Sequence, residues 1–234
     1  MPSYRLPNGP DRLQVPALAV FGMYHPQKTW VRHAAFATWG NNDLSAALEK
    51  EGDETSFGEE VPVFDMAPPM GFNRIGAHVV GWVGNLSNDE VSLLWHSIGV
   101  AQGYVTQSTA GGDAPNPDYI MHPPYQEVPT EEPGRTRWRF SCAGLVIWCF
   151  EGAGIRLIDW TNVAMPVVTD REMVAFLRGC RMVDPSRLPE NRAEWRVVNA
   201  GYLLHSLNRP DDIIRNIPYL PNSQAEIAFP LVSN

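Results

Sequence analysis

The apolar positions between residues 76 and 110 give the clearest pattern in the chain. GAHVVGWVGN is an apolar, β-branched run that ends in Gly-Asn, which predicts a mostly buried strand followed by a turn. Ser87 and Glu90 then form a capping box that starts a helix. The apolar stripe of this helix consists of Val91, Leu94, Trp95 and Ile98. The helix is expected to end between Gly99 and Gly103, and GYVTQST predicts a second strand.

A second well-patterned stretch is TRWRFSCAGLVIWCFEGAGIRLID. Trp138 to Phe140 is expected to be extended, Cys142 to begin a helix, and Gly152-Ala153-Gly154 to end it. The preceding segment, GGDAPNPDYIMHPPYQEVPTEEPG, is rich in Pro and Gly and predicts a long irregular loop.

The two ends of the chain show weaker periodicity. Residues from about 1 to 70 mix apolar patches with Pro, Gly and acidic loops and predict an irregular N-terminal region. Thr169 and Glu172 form another capping box ahead of a helix that carries Met173, Phe176, Leu177 and Cys180 on one side. A last helix is expected from about Arg192 to Leu207, followed by a Pro-rich irregular tail over about 210–234.

Composition narrows the fold class. Hydrophobic residues make up 44% of the 234 positions and charged residues 19%, which is typical of a globular chain. Twenty-one Pro and nineteen Gly imply many turns and argue against a helical bundle. The sequence therefore predicts a single α+β domain over 1–234, with long loops.

Charge and motif content disfavour several classes of function. The formal charge is −8 and no run of Lys or Arg is present, so nucleic acid is an unexpected partner. No segment reaches the ~20 apolar residues that a transmembrane helix needs. No metal-ligand interval such as HExxH and no P-loop or GxGxxG occurs, so neither a metal nor a cofactor is predicted.

The three cysteines, Cys142, Cys149 and Cys180, are too few and too odd in number for a disulfide framework. The N-terminus lacks the charged-then-apolar layout of a signal peptide. Both features predict a reducing, cytoplasmic setting in which a thiol is kept for reactivity. The oligomeric state is left open by the sequence.

Cys142 is the best candidate for a nucleophile. A thiol in the first turn of a helix lies near free backbone N–H groups and the positive end of the helix dipole, which favour the thiolate. The same N–H groups can stabilise an oxyanion. Ser141, Ala143 and Gly144 are small and leave room for a substrate. The alternative is that Cys142 is a small buried hydrophobic residue, as a free Cys usually is.

A catalytic Cys needs a base, and six histidines compete for this role. His25 and His33 lie in the N-terminal region that is hard to interpret, His122 lies in the Pro-rich loop, and His96 and His205 lie on helices. His78 stands near the start of the apolar strand, where an imidazole would be partly desolvated and fixed in direction. A lone His on a strand is still more often a structural residue than a catalyst, and spacing does not decide between them.

These residues resemble a known family. FSCAGLVIWCFEGAGIRLID is similar to the nucleophile helix of NlpC/P60 proteins, and the His strand, GAHVVGWVGN, precedes it by 64 residues. That order resembles the circularly permuted branch of these papain-like proteins, which includes YiiX-like and lecithin:retinol acyltransferase-like members. The resemblance covers roughly Gly76 to Val183. It implies an antiparallel sheet packed on the nucleophile helix.

The resemblance also implies roles for individual residues. Cys142 takes the position of the nucleophile, His78 that of the base, and Gln107 on the next strand that of the group that orients the imidazole. If Gln107 does not fill this role, Asn85 and a backbone carbonyl are the next candidates. Permuted relatives often carry a carboxylate at the third position, where Gln107 offers an amide.

Three functions are therefore compared. The first is a thiol hydrolase, an amidase or peptidase, that forms an acyl-thioester on Cys142 and acts on peptide-like or acylated small-molecule substrates. The second is an acyltransferase that uses the same Cys/His pair, with an amine or hydroxyl acceptor favoured over water by a dry pocket. The third is a binding member of the fold that has lost the chemistry.

Overall fold

The structure is a computed structural model. It describes residues 3–5, 15–24, 30–37, 61–67, 70–77, 79–105, 118–162, 165–169, 171–179, 188, 190–191, 194–223 and 226. Within these residues the chain combines strands and helices, so its class is α+β, as the sequence predicts.

The described strands are β1 (Ser3–Arg5), β2 (Val20–Tyr24), β3 (Val31–Ala37), β4 (Val61–Asp65), β5 (Gly71–Ile75), β6 (Val79–Gly81), β7 (Tyr125–Pro129) and β8 (Thr136–Phe140). The described helices are α1 (Asn88–Val105), α2 (Cys142–Gly152), α3 (Arg171–Gly179), α4 (Ala200–Leu207) and α5 (Asp211–Asn216).

Six strands form one sheet in the order β1-β6-β2-β3-β4-β5, and every neighbouring pair is antiparallel. Strands β7 and β8 form a separate antiparallel hairpin. Strand β6 lies between β1 and β2 and pairs with both, so a strand from later in the chain joins these two N-terminal strands in the sheet.

The large sheet is apolar on both faces, which is why its strands read as continuous apolar runs rather than as an alternation. Side chains alternate between two clusters along each strand. Phe36 on β3 and Phe64 on β4 belong to the larger cluster, which includes the helices. Phe21 and Val63 face the opposite side, in a smaller cluster.

Helix α2 is the central helix of the larger cluster. Eight of its eleven residues are buried, and the rings of Phe150 and Phe36 lie 5.8 Å apart, so the helix packs directly on β3. An apolar helix without a polar face is typical of a position inside the core. The predicted packing of the Cys142 helix on an antiparallel sheet is thereby confirmed.

Several local predictions are confirmed. Ser87 and Glu90 exchange the two hydrogen bonds of a capping box at the start of α1. Leu94 and Ile98 on the predicted stripe of α1 are buried. Strand β8 contains the extended Trp138 to Phe140 segment, and α2 begins at Cys142 and ends at Gly152 as expected.

The prediction that about residues 1–70 form an irregular N-terminal region is wrong for the residues that the structure describes. The described parts of this region contain β1 to β4 and therefore most of the large sheet. The strands are short, and β1 is held in the sheet by pairing with β6, in which Ser3 is the partner of Gly81. Pairing between strands that are far apart in the sequence leaves no repeating pattern of apolar positions within a short stretch of the chain.

Two predictions between residues 99 and 129 are also wrong. Helix α1 continues to Val105 instead of ending at Gly99 to Gly103, because Ala101 extends its buried stripe. The first residues of GYVTQST are therefore helical rather than extended. The segment predicted as an irregular loop contains β7, which is stabilised by pairing with β8.

The last part of the chain departs from the expected pattern in two places. Residues 195–199 are not helical, and α4 starts only at Ala200. The Trp195 carbonyl accepts a hydrogen bond from the Val168 N–H at 3.0 Å, so its backbone is paired with another segment instead of within a helix. The tail contains helix α5, whose Asp211 accepts a hydrogen bond from the Gly84 N–H at 2.9 Å. No helix in the described part of the chain is long and apolar enough to cross a membrane.

Gly144 is required by the approach of another backbone segment to the first turn of α2. A Cβ atom at this position would lie 1.6 Å from the carbonyl oxygen of Pro124. We therefore predict that Gly144→Ala lowers the free energy of unfolding by about 2 kcal/mol or more. Gly99→Ala is the control, because a Cβ atom there meets open space and alanine should stabilise α1 by about 0.5–1 kcal/mol. Urea unfolding of both variants is the measurement, and equal effects would contradict the assignment.

Candidate active site

The N-terminus of α2 places the Cys142 thiol. Ser141 is the N-cap residue, and its hydroxyl accepts a hydrogen bond from the Gly144 N–H at 2.8 Å. The Ser141 N–H in turn donates to the Pro124 carbonyl at 2.8 Å. A capped helix start that is tied to a neighbouring segment gives Cys142 a fixed position at the positive end of the helix dipole.

The sulfur of Cys142 lies against an open edge of strand β3. Strand β3 pairs with β4 only over Ala35–Ala37, so among the residues that the structure describes the backbone before Ala35 has no strand neighbour on that side. Cys142 Sγ lies 3.9 Å from the Arg32 carbonyl oxygen, and the Ala34 N–H interacts with the same sulfur. The thiol thus occupies the place that a pairing strand would take beside β3.

Among the described histidines, His33 on β3 lies next to this thiol, close enough for each group to shift the pKa of the other. Its side chain is only 12% exposed. Its Nε2 atom lies 2.6 Å from Asp65 Oδ2, which leaves Nδ1 for the thiol. Since a base must present one nitrogen to the nucleophile while the other is held, this arrangement has the geometry of a Cys-His-Asp triad.

Asp65 reaches His33 because of the register of two strands. Ala35 on β3 is the partner of Asp65 on β4, so His33, two residues earlier, is its diagonal neighbour on the same face. The Asp65 side chain is fully buried, and its second oxygen accepts a hydrogen bond from the Asn73 amide at 2.6 Å. Both carboxylate oxygens therefore have a fixed partner, and the aspartate cannot rotate away from the imidazole.

The protonation equilibria of the pair favour a thiolate and an imidazolium. Burial alone would raise the pKa of the Cys142 thiol, but the hydrogen bond and charge of His33, with the N–H groups of Ala34 and Ala143, hold that pKa below its usual value. Burial alone would lower the pKa of His33, but its hydrogen bonds to Asp65 and Cys142 and their charges raise it. Above the lowered pKa and below the raised one, the ion pair predominates.

Cys142 and His33 open onto a cavity of about 390 Å³. This volume suits a small ligand or one arm of a larger one. The apolar walls include Met23, Trp30, Met66, Tyr119, Met121, Phe176 and Leu177. The polar groups that line it include Arg32, Asn73, Arg74, Ser141 and Asn199.

The sequence predictions for the site have different outcomes. Cys142 is at the start of a helix and lines the cavity, as expected for a nucleophile. His78 and Gln107 lie outside the described residues. Asn85, the next candidate for the third position, lies in the turn after β6, where its carbonyl accepts a hydrogen bond from Arg215.

The sequence analysis named His33 among six candidate bases without selecting it and did not consider Asp65. Both belong to the N-terminal region that was expected to be irregular. One signal was present: VPVFD is an apolar run that ends in a carboxylate, and VRHAAFA is an apolar run with a single imidazole. An ionisable group inside such a run requires a partner when the strand is buried.

The described residues contain no group of three or more His, Cys, Asp or Glu side chains that could hold a metal ion. Comparisons of the chain with models of known protein families, with curated proteins and with solved structures gave no match. The interpretation of the site therefore depends on its own geometry.

Thiol alkylation should distinguish Cys142 from Cys149. Burial raises the pKa of the Cys149 thiol, whereas His33 lowers that of Cys142. We predict that brief treatment with iodoacetamide near pH 6, where an ordinary thiol of pKa about 8.5 is less than ~1% ionised, modifies Cys142 first. Peptide mass spectrometry measures the sites. Cys180, which lies outside the described residues, is expected to react slowly as well.

The control for this prediction is His33→Gln, which keeps the thiol and removes the imidazolium. Its Cys142 should react at least about tenfold more slowly near pH 6, because the acid limb of the rate profile moves to higher pH. Equal rates in the two proteins, or faster labelling of Cys149, would contradict the assignment of the ion pair.

Proposed function

We propose that the protein is a cysteine-dependent hydrolase that cleaves an amide or ester through an acyl-thioester on Cys142. The observation that carries this proposal is that His33 hydrogen-bonds to Asp65 and lies beside Cys142, and that all three residues line one cavity. His33 takes the role of the base that the sequence analysis gave to His78, and Asp65 takes the orienting role given to Gln107. The substrates are peptide-like or acylated small molecules.

Acylation would begin with the thiolate. Cys142 attacks the substrate carbonyl carbon, a C–S bond forms, and the carbonyl oxygen becomes an oxyanion. The Cys142 backbone N–H, at the helix start, is the donor that we assign to this oxyanion. The C–N or C–O bond then breaks as the His33 imidazolium gives its proton to the leaving amine or alcohol.

Deacylation would reverse the proton transfers with water. Neutral His33 takes a proton from a water molecule as its oxygen attacks the thioester carbon. The C–S bond breaks, the carboxylic acid leaves, and the thiolate and imidazolium are restored. Asp65 accepts the hydrogen bond from the other ring nitrogen throughout, so the imidazole keeps its orientation and its positive charge is stabilised.

We also propose that the protein shares its fold and ancestry with permuted NlpC/P60 proteins. The order of His33, Asp65 and Cys142 along the chain supports this proposal. The base lies on a strand before the nucleophile helix, and a carboxylate lies on the neighbouring strand, as is frequent in that branch. The His strand that fits this scheme is β3 rather than the segment that leads into β6. Cys142 and Cys149 are free thiols, which is compatible with the reducing, cytoplasmic setting that we propose.

A covalent intermediate is the first test of this function. Mixing the protein with p-nitrophenyl acetate should acetylate Cys142 and release nitrophenolate in a burst, and intact-protein mass spectrometry should show one added acetyl group. Hydroxylamine should remove this group, because thioesters are cleaved by it. The control is Cys142→Ser, which should lose the burst; an acetyl group on a residue other than Cys142 would contradict the proposal.

Asp65→Asn should lower kcat/KM for the ester by at least about tenfold, because the imidazolium loses its anionic partner. The sign of the pH effect follows from the raised pKa of His33: without Asp65 that pKa falls, so the alkaline limb of the profile moves to lower pH. Asn73→Ser is the graded control, since it removes only the hydrogen bond to the other carboxylate oxygen. An unchanged alkaline limb in Asp65→Asn would contradict the orienting role.

A further inference from the structure

Arg32 lines the same cavity as His33 because strand β3 contains a bulge. Met23 on β2 pairs with His33, but Tyr24 pairs with Val31, so Arg32 is an extra residue on β3. In a regular strand, two consecutive side chains would point to opposite faces of the sheet. A bulge re-aims a side chain, and here both Arg32 and His33 contribute to the cavity.

The Arg32 guanidinium has weak partners. Its Nη2 donates to the Met23 sulfur at 3.6 Å, and a thioether is a poor acceptor. Its Nε is buried and has no hydrogen-bond partner in the described part of the chain. No carboxylate among the described residues forms an ion pair with it. Buried polar groups are normally satisfied, so this guanidinium has capacity for a ligand.

The other charges around the cavity do not neutralise Arg32. Asp65 is the one acidic residue in the described lining, and its two oxygens already bind His33 and Asn73. Arg74 adds a second positive charge at the same cavity and has no ion-pair partner among the described residues. The protein carries a formal charge of −8, yet this cavity concentrates cationic groups.

We propose that the Arg32 guanidinium binds a carboxylate of the substrate, so that the protein acts on small amides or esters that carry a carboxylate a few bonds from the scissile carbonyl. The two residues are close to each other, because the Arg32 carbonyl lies 3.9 Å from the Cys142 sulfur and both residues line the cavity. A planar guanidinium matches a carboxylate with paired hydrogen bonds. The apolar walls formed by Trp30, Met66 and Phe176 accept the rest of the acyl group. This inference rests on the proposed thiol chemistry.

Alkylation of Cys142 by matched reagents tests the anion site without a known substrate. One pair is iodoacetate and iodoacetamide; a longer pair is N-iodoacetyl-β-alanine and its amide. Each pair differs only in the carboxylate. Rates at Cys142 are measured by peptide mass spectrometry and divided by the rates of the same reagents with glutathione, which corrects for intrinsic reactivity.

In the native protein the carboxylate member of at least one pair should react about 10- to 100-fold faster than its amide after this correction. Arg32→Gln should abolish that preference, which is the ratio of the two corrected rates measured within the same variant. Arg32→Met, which keeps an apolar stem, is a second neutral variant in case the first does not fold. Arg32→Lys should retain part of the preference, and Arg135→Gln, in the β7–β8 turn, should retain all of it.

The outcomes separate the two proposals. Fast reaction with the neutral reagents, together with an anion preference that depends on Arg32, supports both. Fast neutral reaction without a preference, or with a preference that survives both neutral variants, overturns the carboxylate site and leaves the thiol chemistry intact. A Cys142 that reacts with neutral reagents no faster than glutathione overturns the proposed function and this inference with it.

Discussion

The contact between the Cys142 sulfur and the edge of strand β3 is the interaction on which the rest of the site depends. Three features meet at this point: the capped start of α2, the end of β3–β4 pairing, and the His33 side chain. If β4 paired with β3 over its whole length, its backbone would fill the position that the sulfur occupies. The incomplete pairing is therefore what admits the Cys142 thiol, and the burial of α2 in the core keeps it there.

The same edge of β3 explains why the pKa of the Cys142 thiol is lowered and that of the His33 imidazole is raised. A thiolate inside a protein is unfavourable unless positive charge and hydrogen-bond donors surround it. His33 supplies the charge, and the Ala34 and Ala143 N–H groups supply donors that cannot move away, because they belong to a strand and a helix. Asp65 is buried and held by Asn73, so it stabilises the imidazolium in one orientation. A rigid framework of this kind lowers the reorganisation that a reaction requires.

Much of the local structure around the nucleophile could be predicted from the sequence. Helix α2, its start at Cys142 and the capping box of α1 depend on residues within a few positions of each other, and such signals are strong. The imidazole beside Cys142 could not be found in this way. The strand of His33 reaches Cys142 through long-range contacts, such as that of the Arg32 carbonyl with the Cys142 sulfur over 110 positions, and neither this strand nor that of Asp65 shows a distinctive period.

The difference between the imidazole that the sequence favours and the one found beside Cys142 is informative. The sequence analysis favoured His78 because its strand carries the clearer apolar pattern, whereas His33 lies in a strand interrupted by a bulge. Bulges break the alternation on which strand prediction depends, and they also occur beside functional sites because they re-aim side chains. The irregularity that hid β3 from the pattern is thus the same feature that brings Arg32 and His33 to one cavity.

Titration of the Cys142 thiolate is the most direct test of this account. The ultraviolet absorbance of a thiolate can be followed against pH in the native protein, with Cys142→Ser to identify the signal and His33→Gln to remove its partner. We expect the Cys142 signal to persist well below the ordinary thiol pKa of about 8.5, and to move to higher pH in His33→Gln. A Cys142 that titrates as an ordinary thiol in the native protein, or identically in the two proteins, would contradict the central claim.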